Sequence, residues 1–267
     1  MRNPIIVGAA AALLVVFACQ SPDAPDLGNP LDPSDPDYTP PSTAIATGPD
    51  DAATVTDADV TFTWQGSDRV SEYRYRWDEG EWSDWAAGTS ATLELLDEGE
   101  HAFAVVGRYP TGAEQALPTA RTFVVDAVKG PALMFRPRKV VVATGDTFTV
   151  DLMAEEVDDL MLAHVVIEFD GDALALDSVK QGGFLTGAGG TVLFLDDVAP
   201  GRILVDTGVA EGDPAGVSGT GVLATLAFRA AAATTSALEI PSGAAFRDPS
   251  NAPTPIAETA PGMVVVE

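Results

Sequence analysis

The sequence predicts an all-β protein, two β-sandwich domains carried behind a short apolar leader and a Pro/Asp-rich linker. Three observations predict it. Apolar residues recur at the two-residue period of half-buried strands in one short run after another. Glycine, proline and aspartate punctuate those runs about every 8–12 residues, the spacing of sandwich strands. The clearest run is Val217–Arg229, where Gly219 and Gly221 permit a tight approach and Val222, Ala224, Leu226 and Phe228 then share one face. The segment from about Lys129 onward is organised around that strand.

Composition narrows the function classes. Of 267 residues, 46% are apolar, enough for packed cores. The formal charge is −26, from 40 acidic and 14 basic residues. Nucleic acid is therefore excluded as a partner, because such affinity comes from Lys and Arg on phosphates. The single cysteine, Cys19, rules out an intramolecular disulfide.

Cys19 has its own context. Met1-Arg2-Asn3 is a basic start, and Ile5–Ala18 is an apolar run of 14 residues, short of the ~20 that span a bilayer as a helix. Val16-Phe17-Ala18-Cys19 resembles a bacterial lipobox. The resemblance implies a lipoprotein signal peptide over residues 1–18, cleavage before Cys19 and lipidation of that cysteine, hence a membrane anchor. Gln20 follows, and the absence of aspartate there implies the outer membrane or cell surface. Residues 19–42 then read as a disordered tether, with seven prolines between Pro22 and Pro41 alternating with Asp23, Asp26, Asp32, Asp35 and Asp37. Proline favours extended backbone and like charges repel.

Residues 43–128 form the first domain. Val60, Phe62 and Trp64 alternate, as do Tyr73, Tyr75 and Trp77, which places Trp64 and Trp77 on the buried phase. Asp78-Glu79-Gly80-Glu81 makes a hairpin turn, with Trp82 and Trp85 beyond it. Leu93 and Leu95, then His101, Phe103 and Val105, then Thr122–Asp126 supply the remaining strands. These runs resemble bacterial fibronectin type III and triple-tyrosine Ig-like modules. All four tryptophans lie here. Trp82 and Trp85 are the candidate carbohydrate contacts, with hairpin packing as the alternative reading. His101, in phase with Phe103, reads as a half-buried strand histidine.

Val128-Lys129-Gly130-Pro131 interrupts the strand pattern, and the short interval predicts two neighbouring domains. In residues 131–267 strands follow at Val140–Val142, Phe148–Leu152, Leu162–Phe169, Leu174–Val179, Val192–Leu195, Gly201–Val205, Val217–Arg229, Leu238–Ile240 and Gly262–Val266. Glu155–Asp159 reads as an acidic loop, and Ala230–Ala233 as a loop rather than a helix. Nine or so strands in this length fit a jelly roll.

The order of Phe148-Val150-Leu152, Val165–Asp170, Leu174, Gly183-Phe184-Leu185, Gly201-Arg202-Ile203, Gly219–Ala224, Phe228 and Arg247-Asp248 resembles cohesin modules. The resemblance implies a jelly roll that binds a dockerin-type protein partner across an exposed sheet face. The central strand of that face is Leu162–Phe169, and its outward phase is Leu162, His164, Val166 and Glu168. Well-known cohesins carry an aspartate at the place of His164.

The residues give catalysis little to work with. Two histidines, one per domain, make no metal cluster, and neither a Gly-x-Ser-x-Gly elbow nor a Walker loop occurs. No catalytic, metal or cofactor residue is assigned. Calcium is a candidate at Asp158-Asp159, Asp170-Gly171-Asp172, Asp196-Asp197 and Glu211-Gly212-Asp213, read as loops, though none follows the twelve-residue calcium loop. In the resembled family the ion belongs to the partner. The sequence thus predicts a lipid-anchored, non-enzymatic binding protein of the cell envelope that displays a dockerin-type partner. The alternatives are a carbohydrate-binding protein of polysaccharide catabolism and a structural envelope lipoprotein.

Overall fold

The computed structural model describes residues 28–210 and 215–267. The leader, Cys19 and Glu211-Gly212-Asp213 lie outside the described residues. The described residues divide between two units, 28–39 and Pro40–Glu267.

In the first unit, Asn29, Asp32 and Asp35 each precede a proline and each open a turn. Main-chain bonds Asp32 N to Asn29 O (2.7 Å), Asp35 N to Asp32 O (2.9 Å) and Tyr38 N to Asp35 O (3.1 Å) close the three turns. The same side chains accept from Leu31, Ser34 and Asp37 N–H. The sequence predicts extended backbone for this stretch. It coils instead because Asn or Asp at the first turn position and Pro at the second is a matched pair.

In the second unit, strands β1 (Thr43–Thr47), β2 (Ala53–Val55), β3 (Val60–Gly66), β4 (Glu72–Trp77), β5 (Ser90–Leu93), β6 (Gly99–Arg108) and β7 (Thr119–Val125) build the first sandwich. Its sheets run β1-β3-β5 and β2-β7-β6-β4. Phe62, Trp64, Tyr73, Phe103 and Phe123 fill the space between them, with Phe62 and Phe103 stacked at 4.1 Å. Trp77 departs from expectation. It is in phase with Tyr73 and Tyr75, yet 44% exposed. The facing strand β5 ends at Leu93, and Leu95 turns the chain with φ 52°, so β4 outruns its cover. Leu95 accordingly lies beyond the strand, and Leu96 takes the buried place.

The second sandwich follows as β8 (Ala132–Arg136), β9 (Lys139–Val142), β10 (Thr147–Leu160), β11 (Leu162–Phe169), β12 (Leu174–Gln181), a 3-10 turn at Phe184–Ala188, β13 (Val192–Ala199), β14 (Arg202–Val209), β15 (Val217–Ala230), β16 (Thr235–Glu239), β17 (Ala245–Arg247), β18 (Pro253–Thr254), β19 (Glu258–Ala260) and β20 (Gly262–Val266). One sheet runs β12-β15-β10-β8-β19. The other runs β13-β14-β11-β16-β20-β9, with β17 on β11 and β18 on β17. Ala231–Thr234 is a loop, and Ala230, which the sequence reading places in that loop, is instead the buried last residue of β15.

Pairing of β10 with β15 sets the core. Phe148 faces Phe228, Val150 faces Leu226 and Leu152 faces Ala224. Met153 then pairs with Val222, so Leu223 is the extra residue of a bulge. The bulge corrects the sequence reading. Val222 leaves the face of Ala224, and Leu223 enters the main core at 2% exposure. Val222 packs instead with Val128, Ala132, Met134 and Met153. The glycines lie inside this longer strand: Gly219 has φ 108°, and a Cβ at Gly221 would collide with the Phe184 ring. The stretch 155–159, expected as a loop, is the bulged end of β10, with Glu156 and Asp159 at positive φ and Val157 and Leu160 buried. Two bulges let charged residues interrupt the pattern without ending the strand.

The two sandwiches are in contact. The Asp97 carboxylate accepts from Arg138 N–H (2.7 Å), and Lys139 Nζ donates to Glu94 (2.7 Å). Glu98 accepts from the N–H groups of Ala127 and Val128. Burial pushes the Glu98 and Glu155 carboxyls above their ordinary value. For Glu155, desolvation and the neighbouring Glu98 and Glu156 outweigh the Thr220 hydrogen bond and Arg136. One oxygen of Glu155 is buried without a partner.

Two expectations follow. Leu223→Ala should cost about 2–5 kcal/mol in urea unfolding of the full chain, and Val222→Ala only about 1 kcal/mol; the reverse order contradicts the bulge. Because the folded chain holds the Glu155 proton to higher pH than the unfolded chain does, this group loses stability as pH rises above 4.5. Glu155→Gln should therefore raise the thermal midpoint at pH 7.5, with the gain shrinking as pH falls towards 4.5. A midpoint difference independent of pH contradicts that origin.

Candidate partner-binding face and family

Strand β11 is split between two environments. Ala163, Val165 and Ile167 are fully buried, while Leu162, His164, Val166 and Glu168 point away from the core, as the alternation predicts. Antiparallel pairing extends that outward face on both sides. Leu162, His164, Val166 and Glu168 stand opposite Gly208, Asp206, Leu204 and Arg202 of β14. Those four stand opposite Leu193, Leu195, Asp197 and Ala199 of β13. On the other flank, Leu162 and His164 pair with Arg247 and Ala245 of β17, and Glu168 with Glu239 of β16.

The centre of this face is apolar. Leu195 is 67% exposed, Leu193 56% and Leu162 37%, with Val166 and Leu204 half-buried beside them. Exposed single aliphatics are ordinary on a protein surface; several adjoining across three strands are not. The rim is charged: Asp197, Asp206, Glu168 and Glu239 against Arg202 and Arg247. His164 Nδ1 and Asp206 Oδ1 are 2.6 Å apart, which fixes the ring across the β11–β14 ladder. The arrangement offers an apolar stripe with a net acidic border, suited to noncovalent contact.

Leu193, Leu195, Leu204 and Asp206 were not among the sequence-predicted site residues. The signal was available in the continuous apolar runs Val192–Leu195 and Ile203–Val205, which imply strands apolar on both faces. Val192 and Phe194 pack on the core, leaving Leu193 and Leu195 outside.

The other candidates fall elsewhere. Trp82 and Trp85 flank the β4 hairpin, and arginines cover their rings. Arg74 lies 5.2 Å from the Trp82 ring and 4.7 Å from the Trp85 ring, Arg76 lies 4.8 Å from Trp82, and Arg108 lies 4.3 Å from Trp85. Glu114 and Glu72 hold Arg74 and Arg108 in place. Such an interleaved ladder stabilises the hairpin by roughly 0.5–1 kcal/mol per exposed contact. His101 is half-buried on β6, held by Asp78 (2.8 Å) and the Asp97 carbonyl (2.8 Å).

The calcium candidates separate. Asp196 and Asp197 lie on β13, and Asp158 and Asp159 on the end of β10, strands rather than the predicted loops. Asp170 caps its own turn by accepting from Asp172 and Ala173 N–H. Among the described residues, no three His, Cys, Asp or Glu side chains converge as a metal site.

Comparison with known proteins bears on the second sandwich. Solved structures similar to it include a non-cellulosomal cohesin from Archaeoglobus fulgidus, 20% identical over 51% of this chain and 90% of that one, with a TM-score of 0.43. A cohesin–dockerin complex from Clostridium thermocellum aligns at 17% identity over 51% of this chain and 98% of the other, TM-score 0.43. The sixth cohesin of Acetivibrio cellulolyticus scaffoldin B, solved with a dockerin, aligns at 21% over 52% and 100%, TM-score 0.43. No curated protein matches the chain. The family model described as the cohesin domain matches residues 135–264, from the last core residue of β8 into β20, and the C-terminal sandwich is a cohesin domain.

Proposed function

We propose that this chain is a membrane-anchored, non-enzymatic assembly protein whose cohesin domain holds a dockerin-type module on the β13-β14-β11 face. The uncovered stripe of Leu162, Leu193, Leu195, Leu204 and Val166 carries the reading, because an apolar centre with a polar rim is the anatomy of a protein interface. The cohesin-domain match over residues 135–264 supports the partner class, and five solved structures similar to the domain are cohesins in complex with dockerins. The acidic rim and the charge of −26 call for a partner with an apolar helix face bordered by lysine or arginine. Where well-known cohesins carry an aspartate on the central strand, this chain has His164, with Asp206 supplying a carboxylate from the neighbouring strand. The partner's specificity is therefore its own.

In this reading Cys19 is the lipidated residue, residues 20–42 are the tether, and the first sandwich is a fibronectin-like spacer. The protein sits at the outer membrane or cell surface.

Purified dockerin modules encoded in the same genome, titrated with calcium against the immobilised full chain, test the partner. At least one should bind, and Leu195→Asp or Val166→Asp should weaken it at least about thirtyfold by placing an unpaired charge in the interface. Failure of every module, or binding indifferent to both substitutions, contradicts the assignment. Cys19→Ser should move the protein from the membrane to the soluble fraction and abolish incorporation of labelled fatty acid. A variant that stays membrane-bound rules out the anchor.

A further inference from the structure

Four tryptophans lie in the first sandwich, and three have ring or guanidinium partners. Trp64 packs against Tyr73, Tyr75 and Phe103. Trp82 and Trp85 are interleaved with arginine. Among the described residues, no ring or guanidinium stacks on Trp77, the only tryptophan in the exposed class. It is the large aromatic that the packing of the sandwich leaves unused.

The exposed ring of Trp77 has a neighbouring surface. It lines a groove of about 370 Å³ whose opposite wall is Pro137, Lys139 and Val141 of the cohesin domain. That volume falls within the roughly 300–1,000 Å³ of small-ligand sites. Both sandwiches are needed to make it, and the 2.7 Å Lys139–Glu94 pair ties its two walls together. Tyr75 continues the aromatic side and Val141, 53% exposed, the aliphatic one.

The polar rim decides the ligand class. Asp78 is held by His101, and Glu94 by Lys139. The hydrogen bond and charge of Lys139 hold the Glu94 carboxyl below its ordinary value, so it remains an acceptor. Asp78 is engaged by His101, Glu94 by Lys139 and Asp97 by the Arg138 main-chain N–H, and among the described residues no three such side chains converge, which is the wrong arrangement for a metal ion. An anionic ligand would meet a chain of charge −26. A wholly apolar ligand would desolvate the ion pairs without replacing their hydrogen bonds. A pyranose satisfies all three constraints. Its C–H face stacks on an indole, and its hydroxyls donate to carboxylates and accept from an ammonium at once.

We propose that the groove between Trp77 and β9 binds a neutral saccharide chain. The aromatic contact is Trp77, not the arginine-covered Trp82 and Trp85, and Asp78, Glu94 and Lys139 take the hydroxyls. This site is separate from the β13-β14-β11 face and independent of the partner assigned to it. The protein then joins two holdings, a protein module on one sheet and glycan beside the domain junction.

The test is affinity electrophoresis of the full chain through gels containing mixed-linkage β-glucan, xyloglucan, galactomannan, arabinoxylan or dextran, with polygalacturonate as the acidic comparison. At least one neutral polymer should retard the protein. Trp77→Ala should weaken that retardation about tenfold or more, and Lys139→Ala should weaken it less. Leu195→Asp should leave it unchanged, and Trp85→Ala should too unless that variant lowers the thermal midpoint. Thermal melts establish that the Trp77 and Lys139 variants are folded. Retardation by none of the neutral polymers, retardation by polygalacturonate alone, or retardation that survives Trp77→Ala overturns the proposal.

Discussion

The pairing of β10 with β15 is the constraint on which the cohesin domain depends. Two fourteen-residue strands bring Phe148 onto Phe228, with ring centroids 5.7 Å apart, and Val150 onto Leu226 and Leu152 onto Ala224. Each ladder step adds main-chain hydrogen bonds and buries apolar surface at roughly 25 cal/mol per Å². With both flanks occupied, by β12 and β8, this central pair has no free edge. The inner faces of Ala163, Val165 and Ile167 on β11, and of Ile203 and Val205 on β14, close over it. Their outer faces are then committed to point away, which is why an apolar stripe can persist there. Core packing fixes the strands, and the alternation of β structure converts that fixation into a rigid surface.

The bulges decide where charge can enter such a chain. At Leu152/Met153 one extra residue moves Val222 from the inner core to the small cluster with Val128 and Met153 beside the junction. Further shifts between Ala154 and Leu160 allow Glu155, Glu156, Asp158 and Asp159 to remain in the strand. Asp159 is then available to accept from Gly216 N–H, and Asp158 from the Ser218 hydroxyl. The same region carries Glu155, whose desolvated carboxyl faces Glu98 of the first sandwich. Contact between the sandwiches is thus partly electrostatic and partly apolar, and it forms the groove in which Trp77 stands.

Legibility in the sequence followed the local period. Strand β11 was readable because His164 and Glu168, four residues apart, fix the outward phase of an otherwise apolar run, and its four outward residues are where that phase puts them. What the pattern missed has physical causes. Alternation assigns a phase but not the length of the opposing layer, so Trp77 reads as buried although β5 stops short of it. A bulge resets phase without a mark in composition, hence Val222. Asp196 and Asp197 look like loop chemistry, but the β13–β14 ladder carries them through. Leu193, Leu195 and Leu204 escaped because strand neighbours, unlike residues two apart on one strand, are set by tertiary pairing. Asn or Asp before Pro at 29, 32 and 35 was read for its extended tendency, whereas three matched turn pairs in succession favour coiling.

The proposed working face of the cohesin domain is the β13-β14-β11 surface. Amide hydrogen exchange of the full chain, with and without a saturating dockerin module, tests it most directly. Added protection is expected in residues 192–209 and 162–169, with β12 and the first sandwich unchanged. Protection confined to β12 and the outer face of its sheet, or to the first sandwich, would contradict it.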